Sequence, residues 1–187
     1  FPRRQESAQG LEMTFALNHM AYFLLTDKLA PLWENTPASR IINVASRAHR
    51  MGELDFDDLQ WATRPYRAFK VYGTSKLLNI LFTRELARRI AQLDTVTHCL
   101  HPGVVRTGFG KDEPGVFKML ARLLGPFLIS AQEGAKTSVY LSTDPDVQMK
   151  NGLYFSRCRP VEPEAKAQDD AAAARLWSLS EAIARKL

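Results

Sequence analysis

Only two cysteines, Cys99 and Cys158, occur among 187 residues, and they make no C-x-x-C pair. That excludes a disulfide framework and points to a reducing, cytoplasmic setting. No apolar stretch is long enough to span a bilayer, so no integral membrane segment is expected. No basic run exceeds a few residues, which argues against nucleic acid as a partner. Internal repeats and low-complexity linkers are missing, and the Ala run at 171–174 sits in a helical context. The ten Gly and ten Pro follow no collagen-like period. The first residues, Phe-Pro-Arg-Arg, include neither an initiator Met nor a signal-like apolar region, so an internal fragment is expected.

What is present suits an ordinary globular domain. The chain is 45% hydrophobic and 24% charged, which fits one domain over 1–187 with a sizeable core. The net charge of +5 permits an acidic ligand such as a dinucleotide without demanding one.

Periodicity supplies the element order. Leu11, Phe15, Leu17, Phe23, Leu24 and Leu29 predict a helix over 10–35, with Pro31 warning of its end. Arg40-Ile-Ile-Asn-Val-Ala-Ser46 reads as a short buried strand, and 47–64 reads mostly as loop. Pro65 can open a long helix to about 92, with Leu77, Leu78, Leu81, Leu86 and Ile90 on its face. Thr95-Val-Thr-His-Cys-Leu-His101 is the next strand, stopped by Pro102-Gly103. A helix over 131–142, a turn at Asn151-Gly152, a strand over 153–156 and a helix over 168–186 complete the chain. Strands alternating with helices predict a parallel α/β sheet with helices on both faces. Ligands of such sheets bind beyond the carboxyl ends of the strands, here at Ser46 and at 101–107.

Two Tyr-x-x-x-Lys pairs lie close together. Each sets a phenol and an ammonium one turn apart, where the positive charge favours the phenolate and makes an acid–base. Tyr66 and Lys70 fall at the ragged, charged start of the helix and read as solvated. Tyr72 and Lys76 precede the apolar run Leu77-Leu-Asn-Ile-Leu-Phe82, and Gly73 leaves room for a ligand. Taken singly, Ser46 is a strand-end turn residue, Asn18 a solvated helix polar group and Pro102-Gly103 a strand stop. His98, Cys99 and His101 suggest no metal, because 98 and 99 face opposite sides of a strand and a fourth ligand is missing. The basic residues of 175–186 read as the solvated face of a helix.

Together these segments are similar to the short-chain dehydrogenase/reductase family. Tyr72-Gly-Thr-Ser-Lys76 resembles its Y-x-x-S-K motif, and Ile42-Asn-Val-Ala-Ser46 resembles the strand ending in its serine, 26 residues earlier. Leu17-Asn18-His-Met resembles the helix carrying its asparagine, and Pro102-Gly-Val-Val-Arg-Thr107 its P-G-x-V-x-T cofactor segment. Ser46-Arg-Ala-His49, Asp58-Leu-Gln60 and Leu81-Phe-Thr-Arg-Glu-Leu-Ala87 resemble the retinol-dehydrogenase-like branch. That branch usually has two serines where Ala45-Ser46 stands here, and the second is the catalytic one.

The resemblance implies an NAD(P)-dependent oxidoreductase that interconverts an alcohol and a carbonyl on a small apolar molecule. It further implies that Tyr72 passes the proton, Lys76 lowers its pKa and binds the nicotinamide ribose, Ser46 holds the substrate oxygen, and Asn18 holds a water behind Lys76. By the same resemblance Pro102, Gly103, Val105 and Thr107, with Tyr72 and Lys76, are expected to contact NADP or NAD. The family's opening strand–T-G-x-x-x-G-x-G–helix, the usual pyrophosphate cradle, is missing from this sequence, and Gly108-Phe-Gly110 lacks its context. The expectation is therefore the C-terminal two-thirds of a Rossmann-like, doubly wound parallel sheet, without the phosphate-binding half. The segment at 116–128 is either core or substrate lid. A two-fold homodimer through the helices near 10–35 and 66–92 is also implied. The competing functions are a non-catalytic dinucleotide-sensing or interaction protein on the same fold, and a truncated inactive subunit.

Overall fold

The computed structural model describes residues 1–105 and 128–187. The predicted helix over 10–35 is a broken series rather than one rod. Helix α1 (Met13–Phe15) runs through a π-helical turn (Ala16–Met20) into α2 (Ala21–Lys28), and α3 (Ala30–Trp33) follows. Pro31 opens α3 instead of ending a helix, because its missing N–H costs nothing in a first turn. Glu12 caps α1 by accepting from the Thr14 and Phe15 backbone N–H groups at 2.9 and 2.7 Å.

Strand β1 (Ser39–Val44) and strand β2 (Thr95–His101) pair in parallel, joined by helix α4 (Ala68–Arg89). Helix α4 starts three residues after Pro65, and a 3₁₀ turn (Arg47–Met51) occupies part of the predicted loop. After β2 come helix α5 (Ala131–Thr143), strand β3 (Tyr154–Ser156) and helix α6 (Asp170–Ala184). The sheet order is β1-β2-β3-β4, where β4 (Arg159–Pro160) is a short antiparallel edge strand not anticipated from the sequence. Two residues are too few to show a period of two, and Pro160 obscures the signal further.

Alternation in β2 builds a layer on each face. Cys99 joins the α4 side with Leu77, Leu81 and Leu86, while Leu100 joins Leu141, Val147 and Phe155 beneath α5. His98 belongs to the α5 side, where its Nε2 meets the Val147 carbonyl at 3.2 Å and its Nδ1 accepts from the Leu153 N–H at 3.2 Å. It is a structural histidine, and no cluster of three His, Cys, Asp or Glu among the described residues could hold a metal.

Helix α4 is buried over most of its circumference, between the sheet and helix α6. Leu77, Leu78 and Leu81 are at most 1% exposed, each stabilising by about 1.5–3 kcal/mol. Most of helix α4 is therefore buried within the chain, whereas Leu25, Leu29 and Leu32 of the first helical series are exposed. No described helix is long and apolar enough to cross a membrane.

Candidate active site

Ser46 follows the last residues of β1 in extended conformation, and a hydrogen-bonded turn fixes it. Its hydroxyl accepts from the Ala48 N–H at 3.2 Å, and its carbonyl accepts from the His49 N–H at 3.0 Å and the His49 ring at 2.7 Å. His49 is 2% exposed, and its Nε2 accepts from the Glu164 N–H at 3.3 Å, so Nδ1 carries the proton given to Ser46. Sequence reading gave His49 no role, although Ser46-Arg-Ala-His49 placed it three residues from the serine.

Gly73 does not open space for a ligand as expected. A Cβ there would lie 2.6 Å from the Ala48 carbonyl oxygen, and one at Gly52 would lie 2.7 Å from the Gly73 oxygen. The two glycines let the turn after Ser46 press against α4 backbone to backbone. That contact sets the spacing between Ser46 and Tyr72, whose side chains are hydrogen-bonded.

Lys76 lies one turn further along α4. Its ammonium donates to the Val44 carbonyl at 3.1 Å and sits 5.8 Å from the ring centres of both Tyr22 and Tyr72. It is 7% exposed, and burial lowers its pKa to about 8. The Tyr72 phenol, by contrast, is raised above its ordinary value. Burial drives that rise, and the hydrogen bond from Ser46 opposes it. Burial outweighs the pull expected from the Lys76 ammonium, which lies 5.8 Å from the Tyr72 ring centre.

Asn18 sits in the π-helical turn and donates to Ser75 Oγ at 3.0 Å, one residue before Lys76. Local π turns often mark functional positions. Tyr22, a further residue missed from sequence, lies four positions beyond Asn18, and its own pKa is raised by burial and by Tyr72. The four-residue spacing from Asn18 was the available signal.

Tyr66 is elsewhere, and it is not solvated. Its half-buried hydroxyl donates to Glu12 Oε1 at 3.0 Å and lies 3.3 Å from Thr14 Oγ1. Glu12 is fully buried, so this phenol, pushed up to about 12, helps hold the α1 cap.

At the end of β2, Pro102 and Gly103 border a cavity of about 970 Å³. Gly103 has φ +96°, and a Cβ would lie 2.6 Å from Ile129 Cδ1. Val105 bridges to Ile129. Thr107 and most of 116–128 lie outside the described residues. The cavity adjoins the Ser46 turn through Arg47 and His49, but Tyr72 and Lys76 do not line it.

No family model matches the chain. It is 40% identical over 181 residues to human retinol dehydrogenase 14, covering 95% of this chain and 54% of that protein. It is 35% identical over 184 residues to the chicken WW domain-containing oxidoreductase, covering 95% of this chain and 44% of that protein. The chain thus spans about half the length of the curated relatives it matches. An uncharacterized protein from Mycobacterium Paratuberculosis superposes with a TM-score of 0.76 at 28% identity, over 98% of this chain and 62% of that one. NADPH-bound carbonyl reductase from chicken fatty liver shares the fold alone, with a TM-score of 0.59 at 17% identity over 88% of this chain and 62% of that one.

Proposed function

Because the chain belongs to the short-chain dehydrogenase/reductase family, we propose that the complete protein is an NAD(P)-dependent oxidoreductase interconverting an alcohol and a carbonyl on an apolar small molecule. The observation that carries this reading is the Ser46–Tyr72 hydrogen bond beside the buried ammonium of Lys76. Homology to retinol dehydrogenases supports the reaction class and an apolar substrate.

The residues present fit the nicotinamide-ribose end of the cofactor. Lys76 has three N–H donors, and one of them is given to Val44, which leaves donors for a ribose hydroxyl. Pro102, Gly103 and Val105 follow β2 at the same carboxyl edge as Ser46 and would border the cofactor, with Thr107 as a further contact implied by the sequence. When bound, the dinucleotide supplies the hydride.

The protein's part is positioning and proton transfer. Ser46 donates to the substrate oxygen and holds the reacting carbon in place. Tyr72, kept protonated by burial, gives its proton to that oxygen in the reducing direction and takes it back in the oxidising one. Lys76 stabilises the phenolate that forms, as its charge lies 5.8 Å from the Tyr72 ring centre. Asn18, tied to Ser75, orients the turn of α4 that carries Lys76 and holds a water behind it.

The test is a nicotinamide absorbance assay of the full-length protein with medium-chain alcohols and aldehydes. Turnover that disappears in Tyr72→Phe supports the assignment. Wild-type protein that binds NAD(H) or NADP(H) yet turns over no alcohol or carbonyl supports the sensing alternative instead.

A further inference from the structure

The cavity at the ends of β2 and β3 has a charge pattern that an apolar alcohol does not need. Arg47, Arg157 and Arg159 all line it, and none makes an ion pair with a described residue. Two other lining cations are already matched: Arg50 pairs with Glu164 at 3.2 Å, and Lys136 with Glu133 at 2.6 Å. Glu162 is the remaining acid among the described lining residues, so these carry a positive excess.

Two buried polar atoms reinforce the pattern. The Tyr154 hydroxyl and His101 Nδ1 are buried without a hydrogen-bond partner among the described residues. Their residues are 6% and 7% exposed and both line the cavity. Buried polar groups are normally satisfied, so two on one cavity with no partner among the described residues point to a missing partner. Burial holds the phenol above its ordinary pKa and lowers the imidazole to about 4, where Arg47 and Arg157 assist, so the phenol is a donor and the ring is neutral.

The turn that presents the arginines is strained. Arg157 and Cys158, between β3 and β4, have φ of 52° and 58°. Two successive left-handed residues form the tight hairpin turn that Asn-Gly usually fills. Non-glycine residues in that region cost energy and collect at binding sites. Here the conformation places Arg157 and Arg159 on the same cavity as Arg47.

We propose that this cavity is an anion-accepting subsite that binds the carboxylate of an apolar-bodied small molecule. Arg157, Arg159 and Arg47 take the carboxylate through charge-assisted hydrogen bonds, and the Tyr154 hydroxyl supplies a neutral donor. Val104, Ile129 and Val161 flank the apolar body. Arg47 follows Ser46 directly, so the subsite adjoins the proposed catalytic pair. Resting on the oxidoreductase reading, the substrate class is an alcohol or carbonyl compound that also carries a carboxylate.

Calorimetric titration of the full-length protein with dodecanoate and with dodecanol tests the subsite. Dodecanoate binds, its affinity falls with added salt, and the double variant Arg157→Asn, Arg159→Gln weakens it roughly tenfold or more. Dodecanol affinity stays within about twofold in the same variant. Asn tolerates the left-handed conformation, so the hairpin keeps its turn, and an unchanged thermal melt verifies this. Equal affinity for the acid and the alcohol, no binding of dodecanoate, or a variant that binds dodecanoate like wild type each overturns the proposal. A turnover assay separates the two readings. Activity on fatty alcohols with unaltered dodecanoate binding in the variant refutes the subsite and leaves the oxidoreductase. Arginine-dependent dodecanoate binding in a protein that oxidises or reduces nothing refutes the oxidoreductase and leaves the subsite.

Discussion

Replacing Lys76 with methionine makes the folded protein more stable at neutral pH while it abolishes turnover. The ammonium is 7% exposed, and its pKa falls from the ordinary 10.5 to about 8. That drop corresponds to roughly 3 kcal/mol of folding free energy lost to burying the charge. The unfolded chain binds this proton more tightly, so the penalty is present in full below pH 8. It shrinks as pH rises from about 8 to 10.5, where the unfolded lysine also loses its proton. Methionine fills a similar volume without the charge. The Val44 carbonyl keeps a donor in Asn79 Nδ2 at 3.2 Å, so no buried acceptor is stranded. Lost attraction to the Tyr22 and Tyr72 rings offsets about 0.5–2 kcal/mol of the gain. The net expectation is about 1–3 kcal/mol in favour of Lys76→Met at pH 7. Urea unfolding of wild type and variant between pH 7 and pH 11 measures it, with the difference narrowing across that range. A variant less stable than wild type at pH 7, or a difference that ignores pH, refutes the reasoning.

Tyr72→Phe keeps the ring and its packing but removes the proton, so turnover falls by about a hundredfold or more, with cofactor affinity nearly unchanged by direct titration. Tyr66→Phe acts the other way: activity is retained, but stability drops by about 1–3 kcal/mol in denaturant, because buried Glu12 loses a donor. Gly73→Ala forces its Cβ against the Ala48 carbonyl, which is 2.6 Å away, and backbone cannot yield as a side-chain end would. It lowers stability by about 1–3 kcal/mol or more and lowers kcat by moving Ser46 from Tyr72, whereas a helix propensity effect alone would stabilise.

Element order was legible in the chain because hydrophobic periodicity is a local property. The runs at 40–46 and 95–101, with helical spacing between them, are enough to imply a parallel crossover, and β1, α4 and β2 follow. The site types were legible for the same reason, as Ser46, Tyr72 and Lys76 sit in short motifs with fixed spacing. Their electrostatic state was not. The sequence shows a lysine one turn from a tyrosine, but only the fold aims that ammonium at the Val44 carbonyl and buries the phenol. Desolvation depends on neighbours far along the chain, so the sign of the Tyr72 shift is a tertiary quantity. The same holds for Tyr66, which local charge marked as solvated and which Glu12, 54 residues away, claims as a donor. Gly73 looked like space for a ligand and proved to be contact between two backbones. Arg47, Arg157 and Arg159 look unrelated in sequence, and only the pairing of β1 with β2 and of β2 with β3 brings them to one cavity. What the amino-acid order determines alone is which segments are helices and strands and which residue types are on hand. Which of those residues lose water, and which charges share a space, is decided when the sheet closes.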